Sequence, residues 1–287
     1  MKPSSNQLRM TLFLAAVLLG SAAAFGQAPT TPPTPAPTQG DKPSSTQAAP
    51  LTLEASPPPV SAEEEAAMKA YRDVPNDDPA KKEQAGLGFL QKYPQSRYRA
   101  EIYNWQVKYY FSKGQIDKME EAGDKELALA PTDAQTLAIM GSALPRAMNA
   151  NTPEPQKRLA KAEQYSQKAL ELIPTYPKPD NMTEDAFVKA KNLTSAMAYS
   201  GLGTVAFRRG KFADAIPQFE QAIKLDPQPD SVNYYLLGVC NEKASHFEDA
   251  VAAFTKCSEI PGGLQAACKT GIDEAKKLAT TQLSSPK

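Results

Sequence analysis

Two copies of one spacing pattern lie end to end between Ala196 and Pro261, and they constrain the fold more than any other feature. In the first copy Tyr199, Leu202 and Gly203 are followed by Ala215, Phe219, Ala222 and Pro227; in the second, Tyr234, Leu237 and Gly238 are followed by Ala250, Phe254, Cys257 and Pro261. Gly203 to Ala215 and Gly238 to Ala250 are the same twelve-residue step, and Ala215 to Ala250 sets a period of 35. An internal repeat of that length signals stacked supersecondary units. Within each copy apolar residues recur at three and four, the spacing of one helix face, while Arg209-Gly210-Lys211 and Ala244-Ser245-His246 interrupt it as turns. Each copy therefore reads as two antiparallel helices. Gly203, set opposite Ala215 or Ala222, removes bulk where the helices cross, and Tyr199 and Phe219 fill the space on either side. One hairpin leaves an apolar face uncovered, so hairpins must stack, and the expected fold is all-α, an antiparallel helix-hairpin solenoid.

These residues and their spacing resemble the tetratricopeptide repeat family, in the copies 196–229 and 231–262. The resemblance implies a superhelix that binds proteins without catalysis or a cofactor. In that family the first helix of each hairpin lines a concave groove. The matching positions here are Met197, Ser200, Thr204, Phe207 and Arg208, then Val232, Tyr235, Val239, Glu242 and Lys243. Family members that hold chaperone C-termini use a Lys/Asn carboxylate clamp at such places, from which Ser200 and Thr204 depart. A mixed groove with Phe207 and Tyr235 as anchors suits an extended or helical peptide held by side-chain pockets.

The flanking chain divides by composition. Lys2 and Arg9 precede an apolar run from Met10 to Leu19, followed by small residues up to Gly26, the layout of a secretory signal peptide over 1–26. An uncleaved anchor is the competing reading, although the run falls short of the ~20 residues a spanning helix needs. No cysteine follows that run, which excludes a bacterial lipoprotein anchor. Residues 27–60 hold ten prolines in 34 positions and almost no large apolar side chain, so they are expected to be a disordered linker reaching up to roughly 100 Å. Spacer, ligand for Pro-binding domains and passive linker all remain open. The chain is thus expected to be exported, to the periplasm or beyond, with membrane contact only if the leader is retained.

Order is expected over 61–280. Ser61-Ala62-Glu63-Glu64 forms a capping box, Asp78-Pro79 starts a second helix reaching Tyr93, and the words Phe89 to Ser96 resemble repeats of bacterial envelope proteins of the outer-membrane assembly and Tol-Pal type. In 100–131 Met119, Gly123 and Glu126 stand where the repeat wants small or aromatic residues, which predicts looser packing. Asp133 and Pro155 begin the next two helices, Thr183 caps a long one reaching Arg208, and Pro217 falls near the start of its partner. A cap helix over 264–279 and a flexible tail over 281–287 complete the reading.

Catalytic chemistry has little to stand on. The single histidine, His246, lies in a turn, and Cys240, Cys257 and Cys268 have no metal-ligand spacing. With 32 basic against 32 acidic residues there is no electrostatic footprint for nucleic acid. The rival to a protein scaffold is a cell-wall glycan-binding or accessory module of an envelope enzyme, for which Trp105 and Tyr109 are the candidate platform. Cys257 and Cys268 flank the flexible Pro261-Gly262-Gly263 turn and are candidates for a disulfide, with three reduced packing cysteines as the alternative.

Overall fold

The computed structural model describes residues 60–284. The expected leader, residues 27–59 of the linker and the end of the tail lie outside them. The described residues form eleven helices and no strand: α1 (Ala62–Asp73), α2 (Pro79–Lys92), α3 (Arg99–Ser112), α4 (Ile116–Leu129), α5 (Ala134–Arg146), α6 (Pro155–Leu172), α7 (Glu184–Arg208), α8 (Phe212–Leu225), α9 (Ser231–Lys243), α10 (Phe247–Glu259) and α11 (Gln265–Ser284). Consecutive helices pack as five antiparallel hairpins, each laid on the next, and α11 closes the stack against α10. First helices also touch in a row, α3 on α5, α5 on α7 and α7 on α9. The α11 helix runs on to Ser284, into residues that composition alone reads as tail.

Local chemistry sets the helix starts. Ser61, Asp78, Asp133, Thr183 and Asp230 each accept a hydrogen bond from the backbone N–H three residues on, at 3.1, 3.1, 2.7, 3.3 and 2.8 Å. Each such cap is worth about 1 kcal/mol. Within the hairpin turns Gly114 and Gly210 take φ of 67° and 73°, where an L side chain is strained. Ser245 occupies the equivalent place after α9 at φ 63° without being glycine.

Hairpin packing turns on what covers each first-helix glycine. A Cβ on Gly203 would lie 2.8 Å from the Phe219 ring, and one on Gly238 would lie 2.7 Å from Phe254. The aromatic ring itself, not Ala215 or Ala222, is what Gly203 makes room for. Both alanines are fully buried beside it. Phe254 is enclosed from its other side by Gly271 of α11, at 2.8 Å from a Cβ placed there. The apolar interior divides along the stack, with one cluster running from α3 to α7 and another from α8 to α11. A smaller one joins Met68, Tyr71 and Phe89 to Ile102. Nearest-neighbour cores of this kind define a solenoid.

Two expectations change on this scaffold. Pro217 sits one full turn inside α8, past the N–H groups that a helix start leaves free, so the ladder loses a bond toward Ala213, on an exposed part of the helix. The predicted loose packing at α4 is not inside its hairpin: Met119 and Glu126 are fully buried, and Met140 of α5 fills the space above Gly123. The opening lies between α4 and α6, an open cleft of about 740 Å³ floored by Leu127, Pro131 and Leu137.

Two substitutions test this account. Gly203→Leu drives a side chain into the Phe219 ring and should cost on the order of 1–3 kcal/mol, read as a lowered thermal midpoint; an unchanged midpoint would mean the helices do not meet there. Ser245→Gly removes left-handed strain and should raise stability by about 1 kcal/mol, measured by urea unfolding.

Candidate interaction surface

In the row of first helices α5, α7 and α9, the last two carry all ten residues that the repeat pattern marks for binding. Its geometry is set where α5 and α7 cross. A Cβ on Gly201 would stand 2.6 Å from the Gly141 carbonyl oxygen, so the two backbones are in contact. Ser166 of α6, fully buried, occupies the position that Phe219 and Phe254 hold in later hairpins. Its small side chain lets the three helices close on one another.

Arg146, the last residue of α5, spans the row at its end. Its Nη1 donates to Asp230 Oδ2 at 2.8 Å, and its Nη2 donates to Ser200 Oγ at 2.6 Å and Asn233 Oδ1 at 2.7 Å. Ser200 Oγ in turn donates to Asn233 Oδ1 at 2.7 Å. One guanidinium therefore ties α5 to α7 and to the start of α9, where Asp230 is also the cap. Its side chain is only 16% exposed, and charge-assisted bonds at that burial hold geometry well. Arg208 of α7 returns to α5, donating from Nη2 to the carbonyls of Met148 at 2.9 Å and Arg146 at 3.5 Å. A cation there also suits the C-terminal end of the α5 dipole, while burial lowers the Arg208 guanidinium from its ordinary value.

The structure sorts the residues marked for the groove into two sets. Ser200, Thr204 and Val232 are interior. Ser200 lies under Arg146, Thr204 is 2% exposed with its hydroxyl donating to the Ser200 carbonyl at 2.8 Å, and Val232 belongs to the α8–α11 core. Close approach of α5 to α7 covers positions that a wider solenoid leaves open. Met197, Phe207, Arg208, Tyr235, Val239 and Glu242 are half-buried, and Lys243 is exposed. Phe207 meets Phe212 edge-on at 5.8 Å, and Tyr235 packs on Phe254 at 5.8 Å, with burial raising its phenol above the usual range. Both rings are therefore shared between core and surface. Residue-by-residue pattern matching missed Arg146, Asp230 and Asn233. A signal for the first was present: Arg146, Arg208 and Lys243 each stand five residues after Gly141, Gly203 and Gly238.

Against this geometry, residues 196–229 match the family model described as tetratricopeptide repeat. The chain carries a tetratricopeptide repeat. The matched unit is the second half of α7 with α8, the hairpin built on Gly203 and Phe219. Similar solved structures include the MamA protein, at 22% identity and TM-score 0.39 over 64% of this chain and 89% of that one. A thermophilic tetratricopeptide-repeat protein of Thermus thermophilus is similar at 16% identity and TM-score 0.42, over 74% of this chain and 98% of that one. A search of curated proteins returned no match.

Beyond the tetratricopeptide unit, Cys257 of α10 and Cys268 of α11 are joined in a disulfide with Cα atoms 5.8 Å apart. Cys240 is free and buried, and burial pushes its thiol up to about 12, which makes it a packing residue and not a nucleophile. The two rings of the candidate glycan platform lie against each other. Trp105 and Tyr109 stack face to face at 4.9 Å with planes 15° apart, and Lys113 sits over Tyr109 at 5.6 Å. Each ring therefore covers one face of the other. Among the described residues no group of His, Cys, Asp and Glu is placed to hold a metal ion, and no helix is long and apolar enough to cross a membrane.

Removing the Arg146 side chain leaves Asp230, Ser200 and Asn233 without their shared donor. Arg146→Ala should destabilise by about 1–3 kcal/mol, discounted for the partial exposure of Asp230. Hydrogen exchange should show the loss in α5, α7 and α9 together. Loss confined to α5 would mean that the three helices are not coupled through this residue.

Proposed function

We propose that this chain is an exported, non-enzymatic scaffold of the cell envelope that holds a peptide or helix of a partner protein against the first-helix face of α7 and α9. The observation that carries the reading is the partial exposure these two helices keep: Phe207, Tyr235 and Val239 are half-buried, and Glu242 and Lys243 follow at the end of α9. Arg146 fixes the helices beneath it, and a preorganised surface loses less entropy on binding. Apolar anchors within a polar rim suit a peptide whose side chains enter pockets along the face. The tetratricopeptide hairpin supports a protein partner, since scaffolds of that kind are generally non-catalytic. Export rests on the leader-like layout of residues 1–26 and is supported by the Cys257–Cys268 disulfide, a bond that persists in oxidising compartments.

The test is capture from an envelope fraction by the full chain and two variants. Lys243→Glu alters an exposed residue, so it should weaken capture with the melting midpoint unchanged. Tyr235→Ala removes a ring that packs on Phe254, so it should weaken capture and also lower the midpoint. Lost stability with capture intact would return Tyr235 to the core alone. Equal pelleting of all three proteins with purified cell-wall glycan would favour the glycan-binding module.

A further inference from the structure

Glu126 of α4 occupies a place where the repeat pattern wants a small residue, and its side chain is 1% exposed. It lies at the seam where the α3/α4 hairpin meets α5. Its Oε1 accepts from Asn104 Nδ2 of α3 at 3.3 Å, and the same amide donates to Thr136 Oγ1 of α5 at 3.2 Å. Its Oε2 is buried with no hydrogen-bond partner. Asn104 and Thr136 give this carboxylate partial relief, but one of its oxygens stays buried without a partner, and burial disfavours its charge. The charged and titratable groups facing it are Lys108 from α3, Asp133 from the α5 cap and Tyr176 from the connection between α6 and α7. Lys108 favours the ionised form, Asp133 opposes it more strongly, and burial outweighs both.

We infer that Glu126 is a proton-dependent latch in this seam: protonated, it lets the α3/α4 hairpin seat on α5, and ionised, it loosens that docking and splits the row of first helices between α3 and α5. Burial, as the leading cause, moves its carboxyl from the ordinary 4.5 up to about 7, with Thr136, Asn104 and Lys108 giving partial relief. The closed seam thus binds a proton more tightly than the open one. Its advantage is complete below the ordinary carboxylate range, falls as pH rises and levels off above about 7, where both forms are ionised. The full change in the opening equilibrium is on the order of a hundredfold. In the later hairpins the positions matching Glu126 are Ala169, Ala222 and Cys257, all fully buried and uncharged. Opening is therefore local.

Two measurements on the full chain test the latch. Carbon-13 NMR of the Glu126 carboxyl should give a midpoint near 7, and a midpoint in the ordinary carboxylate range overturns the proposal. Amide hydrogen exchange at pH 5.5 and pH 8, corrected for intrinsic rate, should show protection in α4 and α5 falling by one to two orders of magnitude while the α9/α10 hairpin stays constant. Glu126→Gln should abolish the difference. Equal protection at both pH values in the wild type, or an equal fall in Glu126→Gln, also overturns it.

Discussion

The contact between Gly141 and Gly201 governs the middle of this molecule. Two helices can touch backbone to backbone only where neither has a Cβ, and here the third helix contributes only Ser166. That approach merges α5, α6 and α7 into one tightly packed block and brings the end of α5 alongside the middle of α7. Arg146 can then reach both Ser200 and the start of α9. The later hairpins use a different solution, a phenylalanine ring over a glycine. The stack therefore combines two packing modes that meet in the second half of α7, where Gly201 faces Gly141 and Ser166 and Gly203, two residues on, faces Phe219 of α8.

Much of this is legible in the sequence because it depends on neighbours in the chain. Caps such as Ser61, Asp133 and Thr183 act over three residues, and turns such as Arg209-Gly210-Lys211 act over fewer, so their signals are local and the structure bears them out. The glycine-to-aromatic contact is half legible. Spacing identifies the faces that meet, but which residue lies over Gly203 depends on the rotation of α8 about its own axis, and that is settled by packing. Arg146 is not legible as a cross-link, because Asp230 lies 84 residues away and nothing local to either residue announces the other. The groove residues fail for a related reason. Ser200 and Thr204 hold outward positions on an isolated helix, and only the close neighbour α5 makes them interior.

Polar groups do distinct work at successive joints. Between α4 and α6 the ions lie at the surface: Glu120 pairs with Arg158 at 2.6 Å and Lys161 at 3.0 Å, and Lys161 reaches Asp124 at 2.8 Å. Partly exposed networks of this kind align helices while adding modest stability. Between α5 and α9 the charge is largely buried, its two Nη groups reaching three acceptors while Nε has none, and that set of bonds fixes register. At Glu126 the group is buried and incompletely satisfied, the arrangement that adds least to stability and most to responsiveness.

This gradient bears on how a solenoid of nearest-neighbour contacts transmits a signal. In such a stack each interface opens nearly independently, so the least satisfied seam sets where the chain bends. The α9, α10 and α11 end is the opposite extreme, with Phe254 enclosed by Gly238 and Gly271 and the Cys257–Cys268 bond closing the last turn. On the proposed reading, a partner held across α7 and α9 would lie next to this end, whereas one long enough to reach α3 would cross the Glu126 seam. If the proposed groove and latch both operate, affinity for the longer partner would include the free energy of keeping that seam closed, and partner length would become the variable through which pH acts on binding.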